Sequence, residues 1–428
     1  MTEVNELDAR FERHLAKRNR AEKRFRLFGK LAIGLGLLFL GVLFLTVVQT
    51  GIDAFTQTRI ALEVDIANHH FDAEDPSNPE SLAAANYQGI IKSSLRKTFP
   101  DVKSRREKRD LYRLVSNGAA YELRKVVGEN PSLIGQRLKL WVIASDDVDL
   151  LVKGKISRTA PEAVRRLSDR QMQWLVVLEN TGMIERRFNK TFFIAGDSRE
   201  PELAGIAAAI LGSLFSVVVC LALAFPIGVM SALYLEEFAP KNIWTEFIEV
   251  NINNLAAVPS IVFGLLGFAV FLNAFELPRS APLVGGMVLA LMTLPTIIIA
   301  GRASIEAVPL SVREAALALG ASPLQTVFHH VLPLAMPGVL TGTIIATARA
   351  LGETAPLLMI GMVAFVVDLP RGILDPATAL PVQIFLWADS PETAFTERTA
   401  AAILTLLGFT CLMNLTAVLL RKKYEIRW

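Results

Sequence analysis

Long apolar runs separated by short polar segments make up more than half of the chain. Six runs of 18 or more mostly uncharged residues are long enough to cross a bilayer, whose hydrocarbon core is about 30 Å thick. These runs are 31–48, about 204–233, 255–273, 283–301, 334–363 and 400–420. The pattern predicts six transmembrane helices, the last five of them grouped within residues 203–428.

Residues 51–202, between the first and second runs, have a different pattern. Stretches in which apolar and polar positions alternate predict strands, and longer amphipathic stretches predict helices. The strand candidates are 58–66, 137–145 and 187–195, and the helix candidates are 81–97 and 161–180. A small α/β domain inserted between the first two spans is therefore expected.

Composition supports this division of the chain. The 428 residues are 52% hydrophobic and 20% charged, with a net charge of +3. Residues 52–202 contain 24 Lys/Arg and 22 Asp/Glu, a density normal for a water-exposed domain, whereas residues 203–428 contain 11 and 14. These values exclude a disordered chain, a purely soluble enzyme and a nucleic-acid-binding protein, which needs a basic surface. They indicate an integral membrane protein with one water-facing domain.

Basic residues at both ends of the chain predict its orientation. Residues 1–30 contain nine Lys/Arg, and the tail contains Arg421, Lys422, Lys423 and Arg427. By the positive-inside rule both termini are cytoplasmic in the inner membrane, with 31–50 as an uncleaved anchor and 51–202 in the periplasm. The segment 236–249 is discordant, because it should be cytoplasmic yet contains four Glu and one Lys.

No metal site or disulfide is expected. Cys220 and Cys411 both lie in apolar runs, so the inserted domain has no thiol. His329 and His330 are adjacent on a predicted helix and point in different directions, with no third ligand nearby.

The polar loop 302–333 contains clear helix signals. Ser311 and Glu314 match a capping box, which predicts a helix from Val312, and Gly320 stands where a left-handed residue ends a helix. Ser322, Pro323 and Gln325 then form a second start signal, and Pro333 is expected to close the second helix. Such a helix-turn-helix can fit a groove on a partner or can simply join two spans. The capping signals alone favour the simple connection.

The same loop resembles the EAA loop of ABC importer permeases. Glu314-Ala315-Ala316, Gly320 and Leu332-Pro333 match its motif and spacing, with His330 at a position where the family usually has isoleucine. The resemblance implies that these six residues form the coupling helix and its flanks, held in a cleft of an ATPase subunit. The chain contains no G-x-x-x-x-G-K-[ST] phosphate loop. It is therefore expected to be a transport subunit without enzymatic activity or cofactor, with ATP-Mg bound by the partner ATPase.

The fifth run contains two charges, Arg349 and Glu353. Four residues apart, they are expected to share one helix face and to pair. A buried arginine in a membrane is costly and usually faces the bundle interior. Its guanidinium can bind a passing oxyanion bidentately, or the pair can simply hold the bundle together. The residues alone favour neither alternative.

Beyond the EAA loop, the segments 254–271, 291–300 and 348–361 resemble the PstA family of phosphate permeases. The R-x-x-G-E core is shared with sulfate and molybdate permeases, but Thr354-Ala355-Pro356 follows it here, as in the phosphate branch. The resemblance implies an all-α fold of the ABC importer permease (MetI-like) type, with residues 203–428 as the permease domain. It also implies a phosphate path at Arg349, Glu353 and Thr354, with Thr347 as a further candidate hydroxyl.

The implied partners are a PstC-like permease, a dimer of PstB-like ATPases, a periplasmic PstS-like phosphate-binding protein and membrane lipid. Residues 51–202 resemble an extra region of some family members, and contact with the binding protein or partner permease competes with a purely stabilising role. Rival functions are transport of another oxyanion, membrane-anchored sensing and ion-coupled secondary transport. A sensor would need an output domain, and a secondary transporter would leave the EAA loop unexplained.

Overall fold

The computed structural model describes residues 2–67, 71, 82, 84–162 and 165–424. The strands are β1 (Thr56–Asp65), β2 (Arg137–Ile143) and β3 (Ile184–Phe188). The helices are α1 (Thr2–Gly51), α2 (Tyr87–Thr98), α3 (Arg105–Tyr112), α4 (Gly118–Glu129), α5 (Asp146–Val152), α6 (Asp169–Asn180), α7 (Lys190–Ile194), α8 (Ala207–Leu233), α9 (Ile243–Ala256), α10 (Ser260–Gly267), α11 (Pro282–Glu306), α12 (Leu310–Ala318), α13 (Pro323–Thr326), α14 (Leu332–Gly352), α15 (Ala355–Met359), α16 (Leu380–Ala388) and α17 (Ala394–Tyr424).

Helix α1 forms a compact unit of its own up to Thr50. It contains one of the segments long and apolar enough to cross a membrane. Within it, Arg26 pairs with Glu22 one turn earlier, and the Thr46 hydroxyl donates to the carbonyl of Val42 at 2.9 Å.

A three-stranded antiparallel sheet organises residues 56–194, here called the sheet domain. The strand order is β2-β1-β3, with Leu62 opposite Leu140 and Thr56 opposite Phe188. The central strand β1 supplies much of the core, where Ile60 and Leu62 are buried together with apolar residues of α2, α4 and α6.

The third strand differs from the prediction. The alternation at 187–195 predicted a strand, but β3 ends at Phe188 and helix α7 follows it. The Asn189 side chain accepts a hydrogen bond from the Phe192 backbone amide at 3.1 Å, which caps the new helix. A capping asparagine therefore outweighs the alternating pattern at this point.

The sheet domain is joined to the helical bundle by buried polar contacts. Lys153 follows α5 and is 1% exposed; its Nζ lies 2.7 Å from Asp149 Oδ2 and 3.0 Å from Glu397 Oε2 on α17. Asp149 also accepts a hydrogen bond from the Thr58 backbone amide at 2.8 Å. The Gln57 amide donates to the Glu202 carbonyl at 2.7 Å. These contacts fix the domain to the top of α17 and to the segment that enters α8.

Glu202, in the same seam, lines a cavity of about 460 Å³ and is buried. Burial, aided by the nearby carboxylates of Asp146 and Glu200, raises the pKa of its carboxyl to about 7. A hydrogen bond with Ser116 opposes this rise. Because the pKa is raised in the fold, the native state retains a proton that the unfolded chain loses at a lower pH. The carboxyl therefore contributes stability below pH 4.5 that is lost as the pH rises through about 7.

Replacing Glu202 by glutamine is expected to remove the loss of stability at high pH that this carboxyl causes. Above pH 7 the variant should be more stable than the wild type by about 3 kcal/mol, since the pKa rises from 4.5 to about 7 and each pKa unit corresponds to about 1.4 kcal/mol. Thermal unfolding of the purified protein in detergent between pH 4.5 and 8 measures the difference. Glu129→Gln, an exposed position, is the control, and an unchanged pH slope in Glu202→Gln would contradict the expectation.

Helices α8 and α11 form the centre of the bundle. Small residues let their backbones approach closely: a Cβ on Gly286 would lie 2.5–2.6 Å from Val219 and Ser216, and one on Gly301 would lie 2.8 Å from Ala232. Close approach through small residues is a common basis of helix association in membranes. The two helices are thus packed so tightly that we expect them to move together.

Within the part of the chain that the structure describes, five helices are long and apolar enough to cross a membrane, or six if a bent pair counts as one span. The bent pair is α9 and α10, which meet at 100° around Pro259. The run 255–273, predicted as one span, is therefore broken, because the residue before a proline avoids the helical conformation. The predicted fold class is confirmed: a helical membrane bundle with a small inserted α/β domain.

Candidate functional site

Arg349 and Glu353 lie at the end of α14. Arg349 Nε is 3.6 Å from Glu353 Oε1, so the predicted pair forms. The prediction that the two residues share one helix face is wrong, however. Helix α14 ends at Gly352, and Glu353 has an extended backbone with φ −77° and ψ 121°. The run 334–363 is thus not one helix, because α14 ends at Gly352 and the short helix α15 begins at Ala355.

The position of Arg349 along the membrane axis follows from its neighbour α17. The Arg421 guanidinium donates to the Thr341 hydroxyl at 3.2 Å, so the basic end of α17 lies level with Thr341. Arg349 is eight residues further along α14, a rise of about 12 Å. It therefore lies inside the apolar layer, between the charged ends of α17 at Arg421 and Glu397.

The Arg349 side chain is 54% exposed, whereas that of Glu353 is 20% exposed. A guanidinium facing hydrocarbon costs at least about 2.5–3.5 kcal/mol. The face of the bundle that contains Arg349 must therefore meet a second protein surface or a water-filled path. This arrangement suits a group that binds an anion in passing, since part of the guanidinium has no partner within the described chain.

The two threonine candidates differ in their environment. The Thr347 hydroxyl donates to the Thr343 carbonyl at 2.8 Å and the residue is buried, which is the structural role that competed with substrate contact. Thr354 precedes α15 and is partly exposed beside Glu353. Of the two threonines, Thr354 is the more exposed and follows Glu353 directly in the chain.

The loop 302–333 folds as two helices around a tight turn. The predicted capping box of Ser311 and Glu314 is wrong, since α12 begins at Leu310 without a side-chain cap. The turn at Gly320 is confirmed: its φ is +86°, and the amides of Gly320 and Ala321 donate to the carbonyls of Leu317 and Ala316. This pair of hydrogen bonds is a Schellman motif, which requires a left-handed residue at Gly320.

The second helix of the loop begins as predicted. Ser322 and Gln325 form a reciprocal capping box, with Pro323 in the first helical position. Leu332 and Pro333 do not close this helix, because a π-helical turn at Val327–Val331 leads directly into α14. The chain is therefore helical from Pro323 to Gly352, and Pro333, which has no N–H to donate, lies where the hydrogen bonding changes from the π-helical turn to α14.

Helix α12 has two contrasting faces. Ala316 is buried against the bundle, while Glu314 and Ala315 are exposed. Leu310 and Leu317 flank Glu314 at helical spacing and are 66% and 48% exposed. Leu310, Glu314 and Leu317 thus form an outward stripe, apolar at both ends and acidic in the middle, as expected of a helix that binds a groove.

Sequence reasoning missed the ion pairs behind this helix. Arg313 pairs with Glu237, and Arg302 pairs with Glu236 and Glu249. The sequence did contain a signal for them. The excess of glutamates at 236–249 contradicted the positive-inside rule, and ion pairs with basic residues elsewhere in the chain explain it. The partners could not have been assigned, since Glu237 and Arg313 are 76 residues apart in sequence.

Two family models match separate parts of the chain. Residues 224–425 match the family described as binding-protein-dependent transport system inner membrane component, and residues 12–162 match a domain of unknown function, DUF3333. An inward-facing structure of the MetNI methionine ABC transporter aligns with 52% of this chain and 95% of its own, at 16% identity and a TM-score of 0.40.

Curated relatives give the more specific similarity. The chain is 34% identical over 223 residues to the phosphate transport system permease protein PstA of Yersinia pestis, covering 51% of this chain and 73% of that protein. It is 32% identical over 248 residues to PstA 1 of Mycobacterium tuberculosis strain H37Rv, covering 58% and 80%. Since this similarity extends over four-fifths of a PstA protein, the chain belongs to the PstA-type family of ABC transporter permeases.

Proposed function

We propose that this chain is the permease subunit of an ATP-driven phosphate importer and that phosphate passes Arg349. The observation that carries the proposal is an arginine inside the apolar layer whose side chain is 54% exposed and only partly neutralised by Glu353. The names of its relatives, which are phosphate transport permeases, support the choice of anion.

The chemistry of the pair suits transient binding. A guanidinium offers two parallel N–H donors to an oxyanion, a geometry that Lys cannot provide. Glu353 at 3.6 Å lowers the net charge of the site, which keeps it from holding the anion too tightly for release. Its carboxylate can also accept a hydrogen bond from protonated phosphate, which sulfate cannot donate. Thr354 is the nearest candidate for a lining hydroxyl.

We assign the contact with the separate ATPase, which supplies the energy of ATP hydrolysis, to α12 and its flanking segments. In this proposal Glu314, Ala315 and Ala316, with Gly320 and the Leu332–Pro333 segment, form the coupling element that a separate ATPase holds. The exposed stripe of Leu310, Glu314 and Leu317 supports this role. This chain binds no cofactor, and ATP-Mg is bound and hydrolysed on the partner ATPase.

The proposed complex contains a PstC-like permease, two PstB-like ATPases and a PstS-like phosphate-binding protein in the bacterial inner membrane. The basic segments at both ends of the chain place the termini and α12 in the cytoplasm and the sheet domain in the periplasm. The face of the bundle that exposes Arg349 then meets the PstC-like subunit, so that the path lies between the two permeases.

Uptake of labelled phosphate and labelled sulfate in phosphate-starved cells, with and without this chain, tests the proposal. High-affinity phosphate uptake is expected to disappear without the chain, and sulfate uptake is expected to stay unchanged. Loss of sulfate uptake alone would reject the substrate, and no change in either uptake would reject the transport function.

A further inference from the structure

Five charged residues form an ion-pair network at the end of the bundle that includes α12. The network consists of Glu236, Glu237, Glu249, Arg302 and Arg313. Arg302 Nε lies 3.2 Å from Glu236 Oε2, and its Nη2 lies 2.9 Å from Glu249 Oε1. Arg313 Nη2 lies 2.6 Å from Glu237 Oε1. The network joins α8, α9, α11 and α12, all of which end or begin at this side of the bundle.

Arg313 is the centre of the network. Its Nε and Nη2 both donate to the Glu237 carboxylate, at 3.1 and 2.6 Å. Its Nη1 donates to the Val308 carbonyl at 2.6 Å, and Nη2 also donates to the Ile305 carbonyl at 2.9 Å. One guanidinium therefore links α12 to the turn that follows α8, to the last turn of α11 and to the short segment between α11 and α12. Only the planar fork of arginine can satisfy these acceptors together.

A π-helical turn makes two neighbouring carboxylates available to two different helices. Residues Tyr234–Phe238 continue α8 in this wider turn, in which the Ala239 amide donates to the Tyr234 carbonyl at 2.7 Å. Glu236 then contacts α11 through Arg302, and Glu237 contacts α12 through Arg313. Single π-helical turns of this kind often occur at functional positions in helices.

The network lies on the inner side of α12, away from its outward stripe. Arg313 and Glu237 are only 18% and 12% exposed, so solvent weakens their pair little. Glu314, the next residue along the helix, is exposed on the other side. A partner bound to the outward stripe would leave the Arg313–Glu237 pair intact. The pair is therefore placed between the partner and the membrane helices.

We propose that the Arg313–Glu237 pair transmits displacement of α12 to α8 and, through their tight packing, to α11. Glu237 and Arg313 are thus positioning residues for coupling rather than contacts for the ATPase or for phosphate. This inference rests on the proposed function, because it requires an ATPase that moves α12. It accounts for the acidic segment 236–249 at an end of the bundle where basic residues are expected.

Glu237→Gln in the complete complex, reconstituted in liposomes with the phosphate-binding protein, tests the inference. The variant is expected to retain the ATPase subunits and to hydrolyse ATP, while phosphate transported per ATP falls about five- to tenfold, a common size for coupling between sites. Glu246→Gln is the matched control: it removes the same charge from the same segment, is exposed, and has no ion-pair partner among the described residues. Its transport per ATP should equal that of the wild type.

A second variant keeps the test decisive if Glu237→Gln does not assemble. In Glu237→Cys/Arg313→Cys on a Cys411→Ala background, a short bifunctional thiol reagent can replace the ion pair by a covalent link. Cross-linking is expected to restore transport per ATP. Normal coupling in Glu237→Gln, or no recovery after cross-linking, would overturn the inference.

Two further measurements separate this inference from the proposed function. The wild-type complex must take up phosphate with ATP, and Glu314→Lys must release the ATPase subunits. If either fails, the proposed function fails. If both hold and Glu237→Gln remains normally coupled, only the inference about the ion pair fails.

Discussion

Replacing Arg349 by glutamine is expected to lower phosphate uptake by about 10- to 100-fold without loss of subunit assembly. A hydrogen bond to a charged group contributes about 1.5–3 kcal/mol, and each 1.4 kcal/mol corresponds to a factor of ten. Arg349→Lys keeps the charge but not the bidentate geometry, so its phosphate uptake should lie between that of Arg349→Gln and that of the wild type. Initial uptake rates and co-purification of the partner subunits measure the two effects separately.

The same experiment distinguishes the two roles first considered for the pair. If Arg349 only stabilised the bundle, Arg349→Gln would reduce the amount of assembled complex, and the complex that remained would transport normally. Arg371→Gln, in an exposed segment away from α14, is the control for loss of a surface arginine. A transport defect of equal size in both variants would contradict a specific role of Arg349.

Replacing Lys153 by methionine is expected to destabilise the fold by about 3–5 kcal/mol, the usual cost of breaking a buried ion pair from one side. The Lys153 side chain is 1% exposed, and its removal deprives Asp149 and Glu397 of their ion-pair partner, leaving the buried guanidinium of Arg398 as the positive charge near both carboxylates. Glu397→Gln should lower the free energy of unfolding by less than Lys153→Met does, because Lys153 then keeps Asp149 as its partner. Thermal unfolding of the purified complex in detergent measures the order of the effects.

An exposed ion pair nearby provides the comparison. Lys155 lies 2.9 Å from Asp53, with 38% of its side chain exposed, so Lys155→Met should cost less than about 1 kcal/mol. The double variant Lys153→Met/Glu397→Gln should be more stable than the sum of its single changes predicts, since both changes affect one network. Equal midpoints for Lys153→Met and Lys155→Met would contradict the structural role of the buried network.

The sequence predicted where apolar segments lie better than how their backbones run. The fourth run, 283–301, corresponds to α11, whereas the run 255–273 breaks at Pro259 and the run 334–363 ends its helix at Gly352. Hydropathy measures the environment of a residue, and a helix can bend or end inside an apolar environment when neighbouring helices cover it. Local signals with a defined geometry, such as Gly320 and Ser322, were correct.

The candidate site was predictable only in part. The pairing of Arg349 with Glu353 followed from their spacing, but the half-exposed position of Arg349 did not, because it depends on how the bundle packs around the end of α14. The pairs Lys153–Glu397 and Arg313–Glu237 join residues 244 and 76 positions apart. A single sequence contains no signal that selects such partners among the many charges available.

The register of the sheet has a consequence for how the domain can be gained or lost. Thr56 begins β1 directly opposite Phe188 at the end of β3, and the Asn189 amide donates to the Phe55 carbonyl at 2.8 Å. The chain thus leaves the sheet within about 5 Å of where it entered it. Topologically, the domain is an insertion whose removal leaves a gap that one or two residues can close. A single genetic event could therefore add or delete it without rearranging the helices that follow.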